Sequence, residues 1–374
     1  MKKSLLALAI VGAFTGTAFA DGSNVQLYGL IDLGVVHFSG LAPSSGSGTV
    51  SSTSLDSGGQ SSSRIGLKGT EDLGGGLKAV FQLETGFCAA GTNQNTNGQG
   101  GNSNGYCSGG GFMQRTSMVG LAGDFGTVVG GRLNTPLWNA ELAADPFGGG
   151  LTGNIDNISN VRFAGVQRAN QVVAYVSPNF SGFTGTVVYS FAPTSATVNL
   201  AQGGNTTRAW ELNGGYSNGP IFANLDYLHI SNMNGLTPNS NLGNAAKHWQ
   251  VTGGYDFGIA KVSALYQRLT EDNLSGNRNV WMLGATVPVG PGAILASYGQ
   301  AKNTLGGSTG QDTAKQYAIG YTYSLSKRTN LYTSYAHISN DNNTALAVGD
   351  SSTANLGVAG QGSNGFALGI RHQF

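Results

Sequence analysis

A small set of charged side chains is the part of this sequence that could do chemistry. Successive side chains of a β-strand point to opposite faces, so Arg64 and Lys78 lie on a polar face, and Arg115 shares the face of Ser117, away from Met118. The acids come later, in a stretch without strand-like alternation: Glu141, Asp145 and Asp156. Charges fixed on facing walls of a narrow aqueous gap discriminate between ions. The chemistry that this set favours is electrostatic selection.

Catalytic chemistry is not indicated. The histidines are scattered through strands and strand ends, with no recognisable nucleophile or metal spacing around them: His37, His229, His248, His337 and His372. No set of acid, base and nucleophile emerges. We therefore expect a protein that is not an enzyme and that holds no cofactor or metal.

Alternation between apolar and polar side chains recurs along the chain and predicts about sixteen strands, an even number. The clearest case runs from Gln316 to Leu325, where one face is apolar and aromatic and the other is small or polar. Aromatic side chains recur near the predicted strand ends on the apolar face: Tyr216, Trp249, Tyr255, Trp281, Tyr298 and Tyr335. Such residues form girdles at membrane interfaces.

The connections between these strands alternate between short and long. The long ones are rich in Gly, Ser, Asn and Thr and include Ser39 to Ser61, Cys88 to Gly111, Asn232 to Ala246 and Ser339 to Asn364. This alternation is typical of an antiparallel up-and-down transmembrane barrel, whereas a soluble sandwich or propeller has no need of it. The hydrocarbon core of a membrane does not tolerate an open sheet edge, so the sheet must close. A closed barrel of sixteen strands leaves an aqueous interior.

The composition agrees with a surface that faces something other than water. Charged residues make up 10% of the chain, against roughly 25% in soluble domains, and there are 61 glycines. No linker or change of pattern divides the chain, so we expect one domain over residues 21–374. The stretch from Arg132 to Arg168 is its longest without alternation, and such loops are usually functional. We predict that it is the third external connection and folds into the lumen, with 134–156 closest to the gap.

The first twenty residues predict a secretory signal peptide. Lys2 and Lys3 precede an apolar run, and a small-residue end follows at Ala18 to Ala20. The apolar run is well short of the roughly 20 residues that a spanning helix needs. Removing the segment changes the side-chain balance from 19 basic and 18 acidic to 17 and 18, so net charge says nothing useful about partners.

The two cysteines, Cys88 and Cys107, flank a polar stretch. In an exported protein we expect them to form one disulfide, worth about 3 kcal/mol in the chain-entropy model. A zinc site would need two further ligands nearby, which the sequence does not offer.

Several motifs carry a resemblance to a known family. They run from the first strand to the last residue: Val25 to Asp32, Ser63 to Glu84, Val119 to Leu121, Asp124 to Val128, Gly131-Arg132, Asp145 to Gly148, Tyr175 to Phe180 and Arg371 to Phe374. The sequence resembles the general-diffusion porins of Gram-negative outer membranes, most closely the β-proteobacterial type. The terminal Phe374 resembles the signal that the outer-membrane assembly machinery reads.

The resemblance implies a trimeric, sixteen-stranded barrel in the bacterial outer membrane, with its third external loop folded inward as a constriction. Strand parity at Arg132 is ambiguous, but the resemblance implies that Arg132 is a constriction arginine. Our hypothesis is a basic wall of Arg64, Arg115 and Arg132, with Lys78, that faces the loop acids; the alternative is that these arginines only anchor loops.

The expected function is passive diffusion of ions and small hydrophilic solutes, with a modest anion preference. A substrate-specific channel or a surface adhesin that uses the long external loops stays open as an alternative. Other expected partners are outer-membrane lipid and lipopolysaccharide, further copies of the chain and the assembly machinery; nucleic acid is not expected.

Overall fold

The structure is a computed structural model that describes residues 23–90, 113–191, 208–231, 245–272, 274–307, 312–351 and 356–374. The expected signal peptide, residues 1–20, lies outside these ranges. Cys107 also lies outside them, so the disulfide stays a prediction.

Seventeen strands dominate the described chain. Their bounds are β1 Ser23–Leu41, β2 Val50–Ser57, β3 Arg64–Gly74, β4 Leu77–Gly86, β5 Thr116–Gly123, β6 Gly126–Asn134, β7 Arg168–Val176, β8 Phe183–Ser190, β9 Ala209–Asn218, β10 Ile221–Ile230, β11 Ala246–Asp256, β12 Lys261–Glu271, β13 Arg278–Val289, β14 Gly292–Asn303, β15 Thr313–Ser324, β16 Thr329–Asn340 and β17 Ser363–Gln373. Two α-helices, α1 Pro136–Ala144 and α2 Asn160–Phe163, lie between β6 and β7, with a 3-10 turn at Ile155–Asn157; another 3-10 turn is Leu305–Gly307.

These strands build a wall with sixteen positions. Both β2 and β3 pair antiparallel with the long strand β1, with Ser57 opposite Leu33 and Arg64 opposite Leu30. They therefore occupy one position, interrupted by residues 58–63. The prediction of sixteen strands is confirmed, but the prediction of an unbroken loop from Ser39 to Ser61 is wrong, because it missed β2. The sequence of β2 is mostly Ser and Thr with little apolar alternation.

The sheet closes on itself through its first and last strands. Antiparallel pairing joins β1 to β17 from Leu30 opposite Gln373 to Ser39 opposite Asn364. The terminal Phe374 adds two main-chain hydrogen bonds of 3.1 Å with Gly29. All neighbouring strands are antiparallel, so the wall is an up-and-down barrel.

The two ends of the barrel differ in their connections. Seven short turns, such as residues 75–76, 124–125 and 219–220, join strands at one end. The long connections all lie at the other end, here called the external end. One of them, residues 135–167, carries both helices.

The two faces of the wall differ in polarity. Outward positions expose apolar side chains, for example Val119 at 65% and Leu225 at 52%. Inward positions carry buried polar side chains such as Gln250, Gln267 and Gln316. Each inward amide must find a hydrogen-bond partner, because burying it alone is costly. Those partners come from the long connection. No helix among the described residues is long and apolar enough to cross a membrane.

Candidate functional site

The long connection begins with helix α1. The hydroxyl oxygen of Thr135 accepts a hydrogen bond from the main-chain nitrogen of Trp138 at 3.2 Å, and Pro136 occupies the first turn. Both are favoured at a helix start. The helix ends at Ala144, where the main-chain nitrogen of Asp145 still donates to the carbonyl of Glu141 at 2.9 Å.

Inward side chains of β9 to β12 hold helix α1 against the wall. Glu211 on β9 accepts the main-chain N–H of Leu137 at 2.5 Å, and the Gln250 amide donates to the carbonyl of the same residue at 2.7 Å. Ser263 donates to the carbonyl of Ala144 at 2.5 Å. Because these partners belong to the inward face, the helix lies inside the barrel.

The second half of the connection is held by β12 to β16. The amide of Gln316 donates to the carbonyls of Gly153 and Asn154, at 3.0 and 2.9 Å. The guanidinium of Arg278 donates to the carbonyl of Ile158 at 2.8 Å. Helix and turns therefore cover the inner wall of β9 to β16 and leave the inner side of β3 to β7 open.

Two glycines allow this close approach. A Cβ on Gly284 of β13 would lie 2.4 Å from the Pro146 side chain. A Cβ on Gly150 would lie 1.8 Å from the main-chain oxygen of Gln60, in the interruption between β2 and β3. Next to it, the main-chain nitrogen of Leu151 donates to the carbonyl of Gly59 at 2.6 Å. The interruption at residues 58–63 is thus fastened to the third external connection.

The last external connection joins the same contact. The main-chain nitrogen of Gly349 donates to the side-chain oxygen of Asn157 at 2.9 Å. The Ser62 hydroxyl donates a hydrogen bond to the Ser351 carbonyl at 3.2 Å. The interruption at residues 58–63 and the last external connection therefore meet the inward loop and fix its position.

An opening of about 320 Å³ lies between this loop and the inner wall of β3 to β7. On the loop side it is lined by uncharged residues: Trp138, Asn139, Leu142, Gly148 and Gly149. Among the described residues that line it, the charged ones are Arg64, Arg115, Arg168 and Glu84. The charge that these described residues contribute lies on the wall side, and its positive charge exceeds its negative charge by two.

Glu84 organises two of these arginines. Its carboxylate accepts from Arg115 at 2.6 Å and lies 3.4 Å from the Arg64 guanidinium. The Tyr28 hydroxyl donates to the same carboxylate at 3.0 Å. Charge-assisted hydrogen bonds of this kind are short and strong, so the guanidinium groups are held in place at the opening.

Sequence reasoning placed Arg115 on the inner side, but for the wrong reason. In the structure Thr116 and Met118 line the opening, so the face of Ser117 points outward. Arg115 precedes β5, after a left-handed residue at Met113 (φ 59°), and does not follow the parity of the strand. Its guanidinium reaches inward to Glu84.

Arg168 is a functional candidate that the sequence did not reveal. It lies where the loop rejoins the wall, at the start of β7, and its guanidinium stacks 4.5 Å from the ring centroid of Trp138. Arginine and an aromatic face attract each other at this distance. The only sequence signal was that a basic residue stands at the end of the long stretch without alternation. The direction in which the Arg168 side chain points depends on the path by which the loop returns to the wall.

Two residues of the predicted basic wall do not lie at the opening. Arg132 pairs with outward-facing Ser117 and donates to the Gln114 carbonyl and the Asn170 amide oxygen. Lys78 is exposed and lies six residues from Glu84 along β4, roughly 20 Å at about 3.3 Å per residue. It therefore sits near the end with short turns.

The three predicted loop acids are buried instead of exposed to the opening: Glu141 at 0%, Asp145 at 5% and Asp156 at 5%. Glu141 accepts from Gln267 on the wall, and Asp156 accepts from Gln167 at 2.8 Å. Asp145 accepts main-chain N–H groups of the loop itself, including that of Gly149 at 2.9 Å. This placement corrects the expectation that they form an acidic face across the gap.

Burial also changes the acidity of two of these carboxyls. It raises the pKa of Asp145 to about 7, although hydrogen bonds from main-chain N–H groups oppose the shift. Burial, together with neighbouring Asp156, raises the pKa of Glu141 well above its usual range. Both carboxyls are therefore less acidic than on a surface, which further reduces negative charge near the opening.

Comparison with known proteins gives consistent matches. A family model described as Gram-negative porin matches residues 6–343. The outer membrane porin protein 32 of Delftia acidovorans is 34% identical, with all of both chains covered. An outer membrane porin protein of Bordetella pertussis is 30% identical over 93% of this chain and 99% of its own. Among solved structures, the anion-selective porin from Comamonas acidovorans has a TM-score of 0.73 and 30% identity, covering 94% of this chain and 100% of that one.

Proposed function

Since the chain belongs to the Gram-negative porin family, we propose that its channel favours small anions over cations at the opening beside Arg64, Arg115 and Arg168. The protein is a bacterial outer-membrane porin. It forms a water-filled channel for the passive diffusion of ions and small hydrophilic solutes, and it is not an enzyme.

The distribution of charge around the opening carries the proposal. Three arginines and one glutamate lie on the wall side, and the loop side contributes uncharged residues. An ion that passes meets a net positive field, and none of the described residues lining the loop side across from it is acidic. Fixed charge rings of this sign attract anions and repel cations. A relative whose printed name is anion-selective porin, at 30% identity, supports the same direction.

The sequence hypothesis changes in two of its parts. Arg64 and Arg115 keep their proposed role at the opening, and Arg168 takes the place first given to Arg132. The buried acids Glu141 and Asp145 act as anchors of the inward loop and not as its charged surface. The loop narrows the channel with its helix and turns, and selectivity comes from the arginine side.

Planar bilayer recording tests this function. We expect stepwise channels whose conductance rises with salt without saturation, and a zero-current potential of anion-selective sign in a KCl gradient. Added hydrophilic solutes should give no saturable block, which separates general diffusion from a substrate-specific channel. A silent bilayer would refute channel formation, and a cation-selective potential would refute the charge assignment.

We further propose a homotrimer whose contacts involve the β1 side of the barrel. The outward face of β1 carries exposed aliphatic side chains without an aromatic girdle, including Val25 at 69%, Leu27 at 59% and Val35 at 49%. Aromatic girdles mark lipid-facing strands, so their lack on β1 suits a protein neighbour. Mass measurement in mild detergent should give three copies of the chain, and a single copy would contradict this.

Export and assembly complete the proposal. Residues 1–20 act as a signal peptide that is removed, the terminal Phe374 is read by the outer-membrane assembly machinery, and Cys88 and Cys107 form a disulfide. Intact-mass measurement of protein purified from membranes should show loss of residues 1–20 and of two hydrogens. Lipopolysaccharide is proposed as a partner on the lipid-facing side.

A further inference from the structure

The interruption at residues 58–63 contributes an edge of the opening. Gln60, Ser61 and Ser62 line the opening together with the arginines of the wall. The carbonyl of Ser62 also accepts a hydrogen bond from the Arg64 guanidinium at 3.3 Å. The position of this short segment therefore affects both the width of the opening and the place of one of its charges.

The interruption is held by Asp32, a fully buried residue of β1. One carboxylate oxygen accepts the main-chain N–H groups of Gln60 and Ser61, at 3.0 and 2.7 Å. The main-chain carbonyl of Asp32 accepts the N–H of Gly58 at 3.0 Å. Hydrogen bonds to a carboxylate are stronger than those between neutral groups. Asp32 therefore fixes consecutive main-chain groups of a segment that belongs to no strand.

The last two strands hold the same anchor from the other side. The Tyr332 hydroxyl on β16 donates to the second carboxylate oxygen of Asp32 at 2.6 Å. Arg371 on β17 lies directly opposite Asp32 in the strand pairing, and its guanidinium donates to the Ser61 hydroxyl at 3.1 Å. The interruption is thus held at the seam where the barrel closes, by the first strand and by the last two.

The charge of Asp32 is balanced where it lies. The guanidinium of Arg371 and the carboxylate of Asp32 occupy opposed positions on neighbouring strands. Opposite charges so close together cancel much of each other's field at a distance. Asp32 is also not among the described residues that line the opening. We therefore expect its influence on a passing ion to come through the segment that it holds.

The interruption passes its position on to the inward loop. The carbonyl of Gly59 accepts the main-chain N–H of Leu151 at 2.6 Å. A shift of the interruption would therefore move the inward loop on one side and Arg64 on the other. Both shifts change the opening, although Asp32 itself touches neither the loop nor the ion path.

We propose that Asp32 is a positioning residue of the channel, which sets the width of the opening and the place of Arg64 through residues 58–63. The proposal rests on the anion-selective channel proposed above and names the residue that maintains its constriction. Without this anchor the interruption is released, the opening widens, and the positive charges lie farther from the ion path.

The substitution Asp32→Ala tests this role, because it removes both carboxylate oxygens. Single-channel conductance, the zero-current potential in a KCl gradient and the exclusion of polyethylene glycols of graded size are recorded. We expect larger conductance steps, entry of larger polymers and an anion-to-cation permeability ratio about twofold lower. Coulomb's law gives this fall if the two net positive charges move from about 10 Å to about 15 Å from the ion.

Two further variants separate contacts, charge and stability. Asp32→Asn removes the charge, but its amide oxygen can accept the two main-chain N–H groups while its nitrogen donates to Tyr332. It should keep the normal conductance and polymer exclusion, and its permeability ratio should not fall. Asn213→Ala is the matched control, because Asn213 on β9 is also buried and donates to Asp226 at 2.8 Å, nearly opposite β1 in the strand order. It should lower thermal stability without widening the channel.

Several results would overturn the proposal. They are an Asp32→Ala channel of normal conductance and polymer exclusion, equal widening in Asp32→Asn, and equal widening in Asn213→Ala. A higher permeability ratio at unchanged size would mean that Asp32 acts on ions directly. If Asp32→Ala does not assemble, Tyr332→Phe removes one of the carboxylate contacts and should widen the opening by a smaller amount; no widening would overturn the proposal. A silent or cation-selective unmodified channel would contradict the proposed function instead.

Discussion

The substitution Glu84→Gln isolates the one negative charge that the described residues place at the opening. Glu84 is 7% exposed and contacts both Arg64 and Arg115. Glutamine keeps the size of the side chain and can still accept a hydrogen bond from Arg115. The charge-assisted part of these contacts is lost, at about 1.5 to 3 kcal/mol, which a closed barrel of this size tolerates.

The effect on selectivity follows from Coulomb's law. At about 10 Å in water, one unit charge changes the energy of a monovalent ion by about 0.4 kcal/mol, or a factor of about two. Removing the charge of Glu84 favours anions and disfavours cations, so the permeability ratio should rise about fourfold. At 0.1 M salt the Debye length is about 10 Å, and the rise should shrink to roughly twofold.

Zero-current potentials in KCl gradients measure this ratio, first near 10 mM salt and then near 0.1 M. Glu71→Gln is the matched control, because Glu71 is exposed near the short turn of β3, far from the opening. It should leave the potential unchanged. An unchanged or more cation-selective potential for Glu84→Gln, with normal conductance, would refute the placement of this charge at the opening.

Three further outcomes are expected. The Tyr332 hydroxyl donates to fully buried Asp32 at 2.6 Å, so Tyr332→Phe should lower unfolding free energy by about 1 to 3 kcal/mol in urea, and Tyr335→Phe on the outer face by less. A Cβ at Gly150 would lie 1.8 Å from the main-chain oxygen of Gln60, in the interruption between β2 and β3, so Gly150→Ala should give larger and noisier conductance steps; quiet steps of normal size would contradict that fastening. The pKa of Asp145 is raised to about 7 by burial, above about 3.9 in an unfolded chain. Its contribution to loop stability is therefore complete below about pH 4 and lost as pH rises through 7. Amide exchange of α1 should quicken over that range, and Asp145→Asn should flatten the dependence.

Much of the fold was predictable because it depends on patterns within short segments of the sequence. Alternation of side chains specified the strands, and the rhythm of short and long connections specified an up-and-down barrel. The position of the third external connection followed from the strand count. Strand β2 was missed because a Ser- and Thr-rich sequence gives no apolar alternation, and its pairing with β1 is a tertiary contact.

The site was predictable only in part, because it depends on where the inward loop lies. Arg64 follows the parity of a regular strand, and its side chain lines the opening. Arg115 and Arg132 lie where regular strand geometry ends, and Arg168 depends on the return path of the loop. The acids were expected to face the gap, but Glu141 faces Gln267 on the wall, a partner that is distant in the sequence. Long-range packing decided each of these positions.

The zero-current potential of the double variant R64Q/R168Q tests the central claim most directly. The account predicts that the unmodified channel is anion-selective and that removing these two charges brings the potential to zero or to cation-selective sign. K327Q/R328Q, which removes two basic residues at a short turn away from the opening, should leave it unchanged. An R64Q/R168Q channel of normal conductance that is as anion-selective as the unmodified one would contradict the account.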